Sequence, residues 1–185
     1  MRFETYSTPE GDIMIAPAGE GHYKLEPRHR EFISTMINRI RDSYPEAYKA
    51  MCETYKASAD SLHYYEFLIV RRFLKCNFGD YDNVLDFEND TFKFEFVSCP
   101  LRGECKHDQI ICNPKFNSNL SERELQVMRL FHSGLNEGQI ADKLYISINT
   151  VLNHKKSSFR KTGSHTMAEF ITYANRNNLF RDGNS

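Results

Sequence analysis

The sequence predicts an α+β protein: a mostly helical N-terminal domain carrying one β-hairpin, followed by a domain of four short helices. Three observations carry this. Apolar residues recur at helical spacing after Pro27, as in Ile33, Met36, Ile37 and Ile40. Phe92, Phe94 and Phe96 alternate with Lys93, Glu95 and Val97, the period of a strand with one aromatic face. From Ser121 onward, the capping residues Ser121, Asn136 and Ser147 open three successive apolar stripes.

The elements follow in order. Residues 1–26 hold Pro9, Gly11, Pro17, Gly19 and Gly21 in a polar setting without a sustained period, and are expected to form an irregular arm. The helix over Ile33–Ile40 ends at Ser43-Tyr44-Pro45, because proline cannot continue a helical ladder. Tyr48, Met51, Cys52 and Tyr55 mark a second amphipathic helix, and Asp60 or Ser61 can cap a third through the apolar stretch Tyr64–Leu74. Phe78 to Asn83 is turn chemistry. Beyond it Val84–Phe87 and Phe92–Val97 flank Glu88-Asn89-Asp90 as the arms of a hairpin. Asn117-Ser118-Asn119 is a polar hinge, which sets domains of 1–116 and 117–185, with a cysteine-bearing segment at 99–112 closing the first.

In the second domain Ser121-Glu122-Arg123-Glu124 is a capping box, and Ser133-Gly134 stops the helix it starts. Asn136 caps a short helix, Glu137–Leu144, and Ser147 caps the next after only Tyr145 and Ile146. A connection that tight joins the two helices of a helix-turn-helix. A fourth helix shows Met167, Phe170, Ile171 and Ala174 on one stripe.

Charge agrees with nucleic-acid binding. The whole chain has a formal net charge of -1, but residues 117–185 carry nine Lys/Arg against six Asp/Glu, and residues 1–116 carry fifteen against nineteen. No acid lies between Asp142 and Glu169, where Lys143, His154, Lys155, Lys156, Arg160 and Lys161 stand. A one-sign stripe on a helix suits phosphate contact.

The ordered series Leu120-Ser-Glu-Arg-Glu-Leu-Gln-Val-Met, Gly134-Leu-Asn-Glu-Gly-Gln-Ile-Ala-Asp-Lys-Leu-Tyr-Ile-Ser-Ile-Asn-Thr-Val-Leu-Asn-His and Arg160-Lys-Thr-Gly resembles the DNA-binding domains of LuxR/NarL-type regulators. The resemblance covers about Asn119 to Asn178 and leaves residues 1–116 aside. It implies a transcriptional regulator that binds double-stranded DNA as a homodimer, with recognition helix 147–162 in the major groove. Carried over, Leu152, Asn153 and Lys156 face bases, while Thr150, His154, Lys155 and Lys161 lie at or near the phosphate backbone, with Ser147 and Arg160 as further DNA-binding candidates. Two departures stand out. Leu152 replaces the usual Lys and favours apolar contact with a thymine methyl, and Thr162 replaces the usual Leu before Gly163.

Five cysteines, an odd count, suit a reducing cytoplasm. Cys76, Cys99, Cys105 and Cys112, with His107 as a substitute, could hold zinc or, less readily, an iron–sulfur cluster. They lack the C-x2-C spacing of a metal knuckle, so reduced thiols in a compact loop are the competing reading. The sequence contains no membrane-length apolar run, and Met1–Glu10 lacks the basic-then-apolar pattern of a signal peptide, so a cytosolic protein is expected. It has no GxGxxG, Walker, HExxH or GxSxG pattern, and no alternating strand–helix order of a receiver domain, so neither an enzyme nor a phosphorelay target is expected. The competing functions are a protein-interaction module using the helix-turn-helix surface, and a metal or redox sensor acting through the cysteines.

Overall fold

The computed structural model describes residues 1–82 and 84–180. Asn83 of the expected turn and residues 181–185 of the second domain lie outside the described residues. The chain divides into two compact units, Met1–Lys115 and Phe116–Ser185. Its described residues combine seven α-helices with one small antiparallel sheet, an α+β protein.

The first unit corrects the expectation of an irregular arm. Strands β1 (Phe3–Ser7), β2 (Ile13–Pro17) and β3 (Tyr23–Lys24) occupy residues 1–26, and β4 (Phe87–Glu88) and β5 (Thr91–Phe92) complete a sheet of order β3-β2-β1-β4-β5. Strands β1 and β2 pair from Phe3↔Pro17 to Ser7↔Ile13. The residues that read as breakers make the turn between them: Gly11, at φ 83°, donates its N–H to the Thr8 carbonyl at 2.9 Å. A non-glycine residue there would be strained. The predicted hairpin is present but short. Asn89 and Asp90 both take the left-handed conformation, with φ 51° and 56°, which matches the twist of a two-residue turn.

The expected strand Phe92–Val97 leaves the ladder after Phe92. Phe92 and Phe94 stack 6.0 Å apart against Phe73 and Phe78, whereas Phe96 is 82% exposed with the Arg102 guanidinium over its ring. The single aromatic face therefore ends at Phe94.

Helices α1 (Arg30–Ser43), α2 (Pro45–Thr54) and α3 (Leu62–Asn77) pack against one another, and α3 lies against β1 and β2. Pro45 opens α2 at a position where its missing N–H costs nothing. Helix α3 buries Ile69, Val70, Phe73, Leu74 and Asn77, so its stripe emerges only in its second half. Together with Phe3, Ile15, Ile33, Met36, Ile40, Met51 and Phe87 these residues form the core.

The second unit holds α4 (Glu122–His132), α5 (Glu137–Leu144), α6 (Ile148–Thr162) and α7 (Met167–Arg176). Its core is built from Leu120, Val127, Met128, Phe131, Ile140, Ala141, Val151, Phe170 and Ala174. Among the described residues no helix is long and apolar enough to cross a membrane.

Candidate nucleic-acid interface

Helix α6 is set in place from both ends. Ser147 Oγ accepts from the Thr150 N–H at 3.1 Å and meets the Thr150 hydroxyl at 2.8 Å, so both polar side chains at the helix start are partly engaged in capping. Gly163, at φ 68°, ends the helix in the left-handed conformation. The connection from α5 is equally tight. Tyr145 takes φ 54°, and the Ile146 N–H returns to the Ala141 carbonyl at 3.0 Å. Arg123 Nη2 donates to the Leu144 carbonyl at 3.0 Å and so satisfies the end of α5 from α4. Both expected caps upstream form as full capping boxes, Ser121 with Glu124 and Asn136 with Gln139.

The helix buries Val151 and Ser158 and exposes Ile148, Asn149, Leu152, Asn153, Lys156 and Arg160 along one outer face. His154 and Thr150 flank that face, half-buried. Leu152 and Ile148 are 42% and 51% exposed, an apolar row one turn apart. Ile148 and the adjacent Tyr145, 95% exposed in the turn, are not singled out by the sequence. The available signal was a large side chain in a three-residue turn with no core to enter.

Two of the expected phosphate ligands have other partners. Lys161 Nζ donates to Glu124 Oε2 at 2.6 Å, and that carboxylate also accepts from the Ser121 N–H at 2.7 Å. Burial works against the Glu124 charge, but these donors and Ser157 outweigh it and hold the carboxyl down at about 2. Lys155 Nζ donates to Glu137 Oε1 at 2.9 Å and lies 4.8 Å from the centre of the Phe131 ring. The hydrogen bond from Lys155 lowers the Glu137 pKa. Lys155 and Lys161 thus tie α6 to α5 and α4, while Lys156 and Arg160 are exposed; Arg160 Nη2 donates to Ser157 Oγ at 3.4 Å.

Residues 118–174 match the family model of bacterial regulatory proteins of the luxR family. This stretch is a luxR-family domain. Similar proteins include the Fimbriae Z protein of Escherichia coli K12, 46% identical over 55 residues, which cover 30% of this chain and 26% of that protein. The Fimbriae Z protein of Salmonella typhimurium is 38% identical over 60 residues, 32% of this chain and 29% of that protein. The oxygen regulatory protein NreC of Staphylococcus aureus is 37% identical over 60 residues, 32% and 28% respectively. The chain thus spans little more than a quarter of the length of the curated relatives it matches. No solved structure matches it. The luxR-family match covers α4, α5, α6 and most of α7 and leaves the first unit to be read from its own chemistry.

In that first unit the expected four-ligand metal site is not assembled. Among the described residues no three His, Cys, Asp or Glu side chains are grouped so as to hold a metal ion. His107 Nε2 pairs with Thr54 Oγ1 at 3.0 Å, and the cation beside the thiols is Arg72, whose Nη2 lies 4.0 Å from Cys105 Sγ. A guanidinium among thiols repels a second cation. Cys76 and Cys112 are neighbours that perturb each other: the interaction with Cys76 lowers Cys112 to about 6 against the opposing effects of burial and Asp108, with help from Arg102 and Arg72, and the same interaction raises Cys76.

Proposed function

We propose that the chain is a sequence-specific transcriptional regulator that binds double-stranded DNA in the cytoplasm as a homodimer, with α6 in the major groove. The observation that carries the reading is the outer face of α6, where Leu152, Asn153, Lys156 and Arg160 are exposed together on a helix clamped by two ion pairs. A groove-reading helix needs that rigidity, because base contacts discriminate only when the side chains are held in register with the base edges. On this reading Asn153 and Lys156 address base edges, and Leu152 supplies an apolar contact suited to a thymine methyl. Ser147, Thr150, His154 and Arg160 lie along the phosphates. Lys155 and Lys161 contribute field and bracing more than direct contact. Residues 1–116 act as the sensing or dimerisation domain, and residues 117–185 as the DNA-binding domain.

The test is fluorescence anisotropy of the full chain titrated against pooled duplexes at several salt concentrations. Binding is expected to weaken steeply as salt rises, with a log–log slope of about −0.9 per phosphate neutralised. Affinity that does not change with salt would overturn the reading in favour of a protein-docking surface.

A further inference from the structure

The second unit carries an apolar row on its surface where α6 begins. Ile148, the first residue of the helix, is 51% exposed, and Leu152, one turn on, is 42% exposed. Neither joins the core around Val127, Ile140, Val151 and Phe170, nor the shell of half-buried apolar side chains that packs on it. That shell takes in Leu144 and Ile146, just before the Ser147 cap, and resumes at Phe159. Four residues apart on a helix, Ile148 and Leu152 stand on one face, about 6 Å apart along the axis. The next position of the same row is Lys156, also exposed.

Helix stability does not account for an isoleucine at that place. Helices α4, α5 and α7 each carry a glutamate in the first turn, where a carboxylate favours the positive end of the helix dipole. Helix α6 carries no acid there. A β-branched side chain at its first position, half in solvent, supplies neither that interaction nor full burial. It does suit an approach to DNA. A carboxylate would meet the phosphates with like charge, whereas an apolar side chain reaches base edges without repulsion.

The N-terminal residues of a recognition helix are the ones that contact base edges in the major groove. The apolar group on those edges is the thymine methyl. Base pairs rise by about 3.4 Å, so a row spanning about 6 Å covers about two base-pair steps.

We propose that Ile148 is a base-reading residue, and that Ile148 and Leu152 together select sites with two thymine methyls one or two base pairs apart in the major groove. The inference rests on the DNA-binding reading and extends it. A contact at Leu152 alone asks for one thymine; the row asks for two at a set spacing. Part of the specificity is then burial of methyl groups, a contribution that counterion release does not govern.

The test uses the full chain to select duplexes from a randomised pool. Fluorescence anisotropy then compares the selected duplex with versions in which single thymidines are replaced by deoxyuridine, which removes the methyl and keeps the O4 acceptor. Two thymines at the stated spacing are expected, and removing either methyl should weaken binding about three- to fivefold, by a similar factor at every salt concentration. One of the two losses should disappear in Ile148→Ala and the other in Leu152→Ala. Both side chains lie outside the core, so each variant should keep the parent's circular dichroism. Selected sites without such a thymine pair overturn the proposal. So does deoxyuridine that costs nothing, or an Ile148→Ala variant that retains both losses. Those outcomes leave DNA binding itself standing. Failure of the chain to bind any duplex in a salt-dependent way overturns the DNA-binding reading, and the proposal with it.

Discussion

Lys156 and Lys161 carry the same charge on the same helix but have different surroundings, and that difference predicts different losses. Lys161 donates to a carboxylate whose side chain is only 6% accessible, so removing it leaves Glu124 with a buried charge and fewer donors. Lys161→Ala is expected to lower stability by about 1–3 kcal/mol in chemical denaturation. Lys156 is solvent-exposed, and Lys156→Ala should change stability by less than about 0.5 kcal/mol. On DNA the order reverses: Lys156→Ala should weaken binding and reduce the magnitude of the salt slope by about 1. Equal effects of the two variants on both measurements would mean that the pairing at Glu124 does not separate their roles. The basic stripe was legible in the sequence because, Lys143 on α5 apart, its members follow one another on a single helix. Its division into braces and contacts was not, since Glu137 and Glu124 lie 18 and 37 residues from their lysines.

At the scale of elements, the first three helices of the second unit were legible because each begins with a residue whose side chain caps it: Ser121, Asn136 and Ser147 all accept from a backbone N–H three residues on, as does Thr166 for α7, which the sequence showed only by its apolar stripe. The first three strands were not. A five-residue strand offers only two or three inward positions, and β2 runs Ile-Met-Ile-Ala without alternation. Buried Glu4 also breaks the pattern in β1; its carboxylate accepts from the Asp82 N–H, a partner 78 residues away. The end of α3 gives a prediction of the same kind. Asn77 joins that helix to residues 111–113, and no local signal distinguishes it from a solvated asparagine at a helix terminus. Asn77→Ala should leave the buried Ile111 carbonyl unpaired and cost about 1–3 kcal/mol, while Asn77→Asp should retain acceptance from Asn113 but lose donation to Ile111. Hydrogen exchange should quicken at residues 111–113 in both variants. Unchanged exchange there would show that the clamp does not hold the segment.

Across the whole molecule, the two units should respond to pH in opposite directions, because each buries a strongly shifted carboxyl in a different setting. In the second unit Glu124 is held at about 2, below its ordinary 4.5, by Lys161 and its other donors against the cost of burial. A carboxyl depressed in the folded state stabilises it above the unfolded value, so that contribution is complete above about pH 4.5 and drains away as pH falls toward 2. In the first unit Asp86 is raised to about 8, from an ordinary 3.8. Burial is the main cause; the Thr5 N–H, 2.6 Å from Oδ2, opposes it, and Glu95, Glu4 and Asp82 add to it. A raised carboxyl has the reverse linkage. Its contribution is full below about pH 4 and is lost as pH climbs through about 8. Hydrogen exchange read by mass spectrometry separates the units peptide by peptide in the intact chain. Protection in β1 and the Phe87–Phe92 hairpin should fall from neutral to mildly alkaline pH beyond the intrinsic rise in exchange rate, and Asp86→Asn should flatten that fall. Protection in α4 and α6 should instead fall on the acid side, and Glu124→Gln should flatten that limb while lowering stability at neutral pH. If Asp86→Asn retained the full alkaline loss in the first unit, the group responsible would lie elsewhere in it, and the buried Asp86 carboxyl would carry its charge at neutral pH.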